Sequence, residues 1–196
     1  MTRIAIVGEM HSGKTTLANA LVEQHGFVRL GLADPLKDAA CGMLTSFIDA
    51  HARYFPDRWD GLLGKRVVLP IDRQEIEDGK SIFRPFLQWL GTEFAREYLG
   101  NANCWLNIFE ETLLGDYFEA DVVCDDVRFP NEADYLRDLG FDIIRIHRNE
   151  KERLASIGSS AHCTHQSETM LDKITVDLDL YCNNVEEIQR YAQHLV

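Results

Sequence analysis

Eight residues near the start of the chain, Gly8-Glu9-Met10-His11-Ser12-Gly13-Lys14-Thr15, place a glycine, four residues and then Gly-Lys-Thr in one run. That is the spacing of a phosphate-binding P-loop. The glycines let the backbone turn back and aim its N–H groups at phosphate oxygens. Lys14 has the reach for the β/γ-phosphates, and the Thr15 hydroxyl is a ligand for Mg²⁺. His11, Ser12 and Thr16 stand in or beside the loop as further phosphate contacts. A second run, Val122-Val123-Cys124-Asp125-Asp126-Val127-Arg128, ends an apolar stretch in two carboxylates and an arginine. Carboxylates at the carboxyl end of a parallel strand face the ligand crevice, where they can hold Mg²⁺ or its water. An arginine there can brace a transferring phosphoryl group. Asp125 alone also suits a helix cap, so Asp126 with Arg128 forms the stronger functional pair.

These residues need elements to position them. Arg3 to Val7 is apolar and flows into the loop, as a central parallel strand would, and Thr15 to Gln24 forms a helix behind it. Further strands are expected over Phe27 to Leu30, Asp121 to Cys124, Asp142 to Ile146 and Ile174 to Leu178. Asp34-Pro35 opens a helix that runs to about Ile48. Other helices are expected over Phe83 to Tyr98, Cys104 to Leu114, Asn131 to Leu139, Glu150 to Ile157 and Val185 to His194, with Gly100 ending the first of these and Asn101 or Asn103 capping the second. His51 to Lys80 shows no sustained period and reads as a mobile, partly helical insertion. Alternating strands and helices imply an α/β fold with a five-stranded parallel sheet covered on both faces.

Composition narrows the function classes. A chain of 196 residues suits one compact domain with an inserted lobe. The net charge of −12, with no basic run to offset it, argues against a protein built to neutralise nucleic-acid or membrane phosphates. Any phosphate must be held by a few placed cations. Five cysteines, Cys41, Cys104, Cys124, Cys163 and Cys182, are odd in number and form no Cys-x-x-Cys pair, which points to free thiols in a reducing cytoplasm. The first residues enter a strand directly, so no signal peptide is expected, and no apolar stretch has membrane length. A homodimer would need an apolar patch that the sequence does not locate.

Several runs together carry a resemblance: Gly8 to Thr16, Ala33-Asp34-Pro35-Leu36-Lys37, Arg84 with Leu87-Gln88-Trp89-Leu90-Gly91-Thr92-Glu93 and Arg96, Trp105, Asp126-Val127-Arg128-Phe129-Pro130-Asn131-Glu132, and His165-Gln166-Ser167-Glu168. In this order the chain resembles the phage-type deoxynucleoside monophosphate kinases, a family of P-loop nucleoside monophosphate kinases. The resemblance implies a P-loop three-layer sandwich with an acceptor-binding insertion over about 34–116 and a mobile lid over about 148–170. It implies Mg²⁺-dependent transfer of the ATP γ-phosphoryl to a deoxynucleoside 5′-monophosphate in a phage-infected host cytoplasm. Asp34, Lys37, Arg84, Gln88, Arg96 and Trp105 would then serve the acceptor site, with Arg128 beside the moving group.

Phosphoryl transfer asks for in-line positioning and charge neutralisation. The acceptor phosphate is already a nucleophile, so the lack of a Ser-His-Asp set and the recurrence of arginines fit one chemistry. Arg84, Gln88 and Arg96, at steps of four and twelve, lie near one helical stripe. Trp89 and Phe86 read as core before base-stacking groups. Arg148 and Arg153 are the candidate lid cations, placed below Arg128, and Glu168 is placed to orient an arginine. His162, Cys163 and His165 supply three cramped ligands, a poor zinc set. Two other classes remain open: a kinase for another phosphorylated small molecule, similar to phosphomevalonate kinases, and an ATPase or GTPase switch. The sequence has no Asn-Lys-x-Asp guanine signature.

Overall fold

The computed structural model describes residues 1–54, 70–148 and 170–196. The apolar runs become five strands: β1 (Arg3–Val7), β2 (Val28–Arg29), β3 (Val122–Cys124), β4 (Asp142–Arg148) and β5 (Leu178–Cys182). They lie in the order β2-β3-β1-β4-β5, and every neighbouring pair is parallel. The register sets Ile4 opposite Val123 on one side and Asp142 on the other, so the buried centre of β1 feeds straight into the phosphate loop.

Period-two alternation decides which face each strand residue serves. Ile4, Ile6, Val123, Ile144, Ile146, Leu180 and Cys182 form one core. It is completed by Leu17, Ala18 and Leu21 of α1 (Lys14–His25) and by Ile188 and Ala192 of the C-terminal helix (Val185–His194). The alternate residues Ala5, Val7, Val122 and Ile143 are buried as well. Helix α5 (Cys104–Asp116) contributes buried Phe109 and Leu113, and α6 (Pro130–Asp138) contributes Leu136. The fold is an α/β sandwich of P-loop type.

The chain divides into two compact units, one of Met1–Leu32 with Phe109–Val196 and one of Ala33–Ile108. The second unit is helical. It contains α2 (Asp34–Tyr54), α3 (Arg73–Asp78) and α4 (Lys80–Gln88), and its core gathers Ala40, Ile48, Ile71, Ile76, Phe83 and Leu90. Helix α7 is the C-terminal Val185–His194, capped by Asn184, whose Oδ1 accepts from the Glu187 N–H at 2.8 Å.

Strand β5, helix α2 and the helix after Phe83 differ from expectation. The last strand is Leu178–Cys182 rather than Ile174 to Leu178. The apolar alternation continues through both spans, and pairing with β4 selects the register that buries Leu180 and Cys182. Helix α2 runs past Ile48 to Tyr54, while α3 lies within the stretch expected to be partly helical, capped by Asp72, whose Oδ1 accepts from the Glu75 N–H at 2.8 Å. Third, the expected single helix over Phe83 to Tyr98 is α4 followed by a π-helix, Trp89–Tyr98. Its wider turn is visible in the Leu99 N–H bond to the Phe94 carbonyl at 2.9 Å, five residues back. Trp89 stacks on Phe86 at 5.9 Å and meets Phe94 tilted at 5.4 Å, and Phe94 stacks on Tyr98 at 5.9 Å. At roughly 100° per residue the Trp89 to Phe94 step would turn the rings about 140° apart. At roughly 82° per residue it leaves them about 50° apart, so the ring contact favours the π turn. The expected helix over Glu150 to Ile157 lies outside the described residues.

Candidate active site

In the first unit the loop closes over its own backbone. Gly8 has φ +154, and a Cβ on it would come within 2.6 Å of the Ile146 carbonyl oxygen and 2.7 Å of Ser12 Oγ. Gly13, at φ +106, opens α1 from the left-handed region. Only glycine suits both positions, and this brings the loop's N–H groups into a concave turn. His11 also takes a left-handed φ of 61, a strained conformation for a residue with a side chain. Lys14 Nζ donates to the carbonyls of Gly8 and Glu9 at 2.7 Å each, which holds its charge over the loop. Ser12 is 1% exposed, and its hydroxyl has no hydrogen-bond partner among the described residues. An unsatisfied buried hydroxyl beside a backbone cradle suits an oxygen-rich anion such as a phosphate.

The two carboxylates after β3 separate in role. Thr15 Oγ1 donates to Asp125 Oδ2 at 2.9 Å, so Asp125 is the carboxylate joined to the loop. Asp126 Oδ1 instead accepts from the Leu32 N–H at 2.8 Å and the Cys124 thiol at 3.3 Å, tying down the chain that leaves β2. Of the two carboxylates expected from sequence, Asp125 is the one bonded to Thr15. Asp125 is also gripped by Arg29, which donates through Nε to Oδ1 at 2.9 Å and through Nη2 to Oδ2 at 2.7 Å. Arg29 was not legible as a site residue; its one signal is an arginine ending an otherwise apolar strand. Burial and the neighbouring Asp126 push the Cys124 thiol well up, which keeps it an unreactive neutral group.

A hydroxyl and a carboxylate are hard oxygen donors, and among the described residues no group of three or more His, Cys, Asp or Glu could cage a metal. That donor set fits Mg²⁺, which is bound by one or two protein groups together with substrate phosphates and waters. Thr15 and Asp125 are the residues that would hold it.

Arg128 is exposed at the start of α6, in a loop that Glu132 organises. The buried Glu132 carboxylate accepts from the N–H groups of Arg128 at 2.9 Å and Phe129 at 3.1 Å, reaching back over the first turn. Arg148 ends β4, and its Nη1 donates to the His11 carbonyl at 3.4 Å. Gly8, Glu9, Ser12, Arg145, His147 and Arg148 are among the residues around a cavity of about 150 Å³. Arg145 has a structural task there, donating to the carbonyls of Leu171 at 2.9 Å and Ile174 at 2.7 Å. Arg153, Glu168 and the His162, Cys163, His165 set lie outside the described residues.

In the second unit, Asp34 and Lys37 belong to an ion-pair network. Lys37 Nζ lies 3.5 Å from Asp34 Oδ1 and 2.7 Å from Glu77 Oε1, while Arg73 pairs with Asp34 at 3.5 Å and also with Asp38. Partial burial acts to raise the Glu77 carboxyl, yet hydrogen bonds from Lys37 and Lys80 pull it down to about 2. Glu77 and Arg73 sit in the stretch that sequence reasoning left unassigned. Trp105 donates its indole N–H to the Gly91 carbonyl at 3.2 Å, pinning α5 to the π-helix. Arg84 is exposed, and Gln88 and Arg96 are half-buried. The π turn matters to them. Their spacing alone does not give the expected stripe, because at roughly 100° per residue throughout Arg96 would fall about 120° from Arg84. Across the π segment, at roughly 82° per residue, it returns to within about 25°. The stacked rings lie on the far side of that helix, with Trp89 44% exposed rather than enclosed in the core.

No family model matches the sequence. The chain is 31% identical over 212 aligned positions to a protein of Acanthamoeba polyphaga mimivirus named "Putative deoxynucleotide monophosphate kinase", with 100% of this chain and 95% of that protein covered. Among solved structures, an unliganded sugar kinase from Janibacter sp. HTCC2649 superposes with a TM-score of 0.42 at 15% identity, covering 99% of this chain and 94% of the other. The Thermus thermophilus protein TT1252 gives 0.44 at 18% identity, covering 99% and 96%. Scores this low carry no argument about activity, whereas the end-to-end sequence similarity does. This chain is a kinase, and it belongs to the deoxynucleotide monophosphate kinase family.

Proposed function

We propose that the protein transfers the γ-phosphoryl of ATP to a deoxynucleoside 5′-monophosphate, giving the diphosphate and ADP, with Mg²⁺ held by Thr15 and Asp125. The observation that carries the acceptor class is the stripe of Arg84, Gln88 and Arg96, drawn to one side of a helix by its π turn. A charged stripe of this kind suits a phosphorylated acceptor with a hydrogen-bonding base, and the name of the mimivirus relative points the same way.

In this reading the glycine loop and Lys14 bind the donor phosphates, with His11, Ser12 and Thr16 beside them. Arg128 faces the group in flight and spreads its charge over the phosphoryl oxygens. Arg148 and Arg153 are assigned to the donor as lid cations, and Glu168 to orienting an arginine. Asp34, Lys37, Arg84, Gln88, Arg96 and Trp105 build or brace the acceptor site. Bound Mg²⁺ supplies neutralisation of the β- and γ-phosphate charge. The acceptor phosphate dianion attacks in line, so the protein removes no proton from it. Asp126 acts through the backbone it fixes at Leu32, a positioning task.

Net charge −12 speaks against a nucleic-acid partner. Among the described residues, no helix is long and apolar enough to cross a membrane. The reading includes small-molecule substrates and a cytoplasmic setting.

The test is ADP formation from ATP and Mg²⁺ with each deoxynucleoside and nucleoside monophosphate supplied separately, against a no-acceptor control. Turnover with a subset of deoxy acceptors is the expected result. Silence across the panel, or ATP hydrolysis indifferent to acceptor, overturns it in favour of another phosphorylated acceptor or a switch.

A further inference from the structure

Asp125 is 5% exposed, and an ionised carboxylate so enclosed needs a counter-charge. Arg29 meets it fork to fork, through Nε on Oδ1 and Nη2 on Oδ2. Thr15 takes a further position on Oδ2. A carboxylate offers about four acceptor positions, so these three bonds leave one, on Oδ1. The guanidinium is itself anchored. Arg29 ends β2 in register with Val123, one strand over from Asp125, and its Nη1 reaches Asn19 of α1 at 3.3 Å.

We infer that Arg29 is a positioning residue of the metal and phosphate centre: a cation of the protein that holds Asp125 so that only one oxygen position faces a hydrated metal. The inference rests on the reading of Thr15 and Asp125 as the metal-holding pair. Two consequences follow from the geometry. With the fork in place, Asp125 has no pair of free oxygens with which to chelate a metal, so it can only accept from a metal-bound water or give a single weak contact. The metal then depends on nucleotide phosphates for most of its ligands and arrives with the nucleotide. Without the fork, the carboxylate gains both oxygens and loses a nearby positive charge. It would then hold a divalent cation in the absence of nucleotide and in a position set by the protein rather than by the phosphates. Arg29 thus separates two properties that usually move together, since its loss tightens metal binding while slowing transfer. A residue that merely supported the fold would weaken both.

The experiment uses Mn²⁺ as the probe, with free Mn²⁺ read by electron paramagnetic resonance, with and without ADP. The proteins are the wild type, Arg29→Gln, Asn19→Ala and the double variant Arg29→Gln/Asp125→Asn, and thermal melts and steady-state kinetics accompany the titrations. Arg29→Gln is expected to bind nucleotide-free Mn²⁺ about tenfold more tightly than wild type while kcat falls about tenfold, the scale on which partners behind a metal ligand act. Asn19→Ala loosens the guanidinium without removing its charge and should move both quantities the same way by about two- to threefold. The double variant should lose the gained Mn²⁺ affinity, because the freed carboxylate is its source. Equal or weaker nucleotide-free binding in Arg29→Gln overturns the inference. If that variant lacks a cooperative melt, the direction of the Asn19→Ala shift decides alone. A wild type that takes up no Mn²⁺ even with ADP overturns the metal reading of Thr15 and Asp125, and this inference with it. A wild type that binds Mn²⁺ with ADP while Arg29→Gln gains nothing leaves the proposed activity standing and sinks only the role of Arg29.

Discussion

Around the phosphate loop, Thr15, Asp125 and Arg29 are joined by bonds of 2.7 to 2.9 Å, with the carboxylate buried and the glycines fixed by close backbone contact. On the helix from Lys80 to Tyr98, Arg84 is exposed, and the neighbouring pairs of Lys37, Glu77 and Lys80 sit at the surface of the second unit. The first region is pre-organised, which is what stabilising a transition-state charge requires. The second carries long, exposed or half-buried side chains at the surface, which suits recognition of a substrate that must enter and leave. The difference teaches that loss of a loop residue should be felt in the rate, and loss of a stripe residue in the affinity for one substrate.

The largest break in this comparison is expected from Lys14→Ala. Turnover should fall by about a thousandfold, since the ammonium acts on the moving charge, while the melting temperature stays within a few degrees. Steady-state ADP formation with a thermal melt checks this; a near-normal rate would remove Lys14 from the transfer step. Arg128→Ala should follow with a loss of about a hundredfold in kcat and little change in either KM, because its loop is fixed through backbone N–H bonds to Glu132 that the substitution leaves in place. A change confined to KM would reassign Arg128 to binding alone.

Arg84→Ala sharpens the other side of the comparison. Its predicted effect is a rise of about tenfold in the KM for the monophosphate, with the ATP KM unchanged, as loss of one charged contact to a phosphate would give. Equal effects on both substrates would move Arg84 out of an acceptor role. The smallest effect belongs to Glu77. Its carboxyl sits at about 2 in the folded protein against 4.5 ordinarily, so the stability it contributes is fully present above pH 4.5 and is lost as pH falls toward 2. The side chain is 36% exposed, so solvent screening keeps the contribution under about 1 kcal/mol. Urea unfolding of wild type and Glu77→Gln should differ by that amount at pH 6 and converge only as pH falls through about 2; a constant gap would detach Glu77 from the network's stability.

Much of the centre was legible because its signals are local. The loop's spacing, the apolar strand before it and the helix behind it are contiguous, and the run from Val122 to Glu132 names its own strand end and helix start. Strand β5 was displaced by four residues because the alternating pattern from Ile174 to Cys182 admits two registers, and only pairing with β4 chooses between them. The π turn was not legible either: the ring contacts along Phe86, Trp89, Phe94 and Tyr98 that accompany it exist only once the helix has formed.

By itself, the amino-acid sequence determined the glycine loop ahead of a helix, because that loop depends on backbone freedom and short-range order alone. It also determined the alternation of strand and helix, through the periodicity of apolar residues. Tertiary structure alone decided which of two adjacent carboxylates meets Thr15. Asp125 and Asp126 are equivalent in type, and what divides them is the direction each takes on leaving β3: one toward the loop and Arg29, the other toward the Leu32 N–H. It also decided that Arg29 belongs to the centre, since an arginine ninety-six residues away in sequence becomes a partner only when β2 pairs with β3. Side-chain direction and strand neighbours are properties of the packed sheet, and no local pattern contains them.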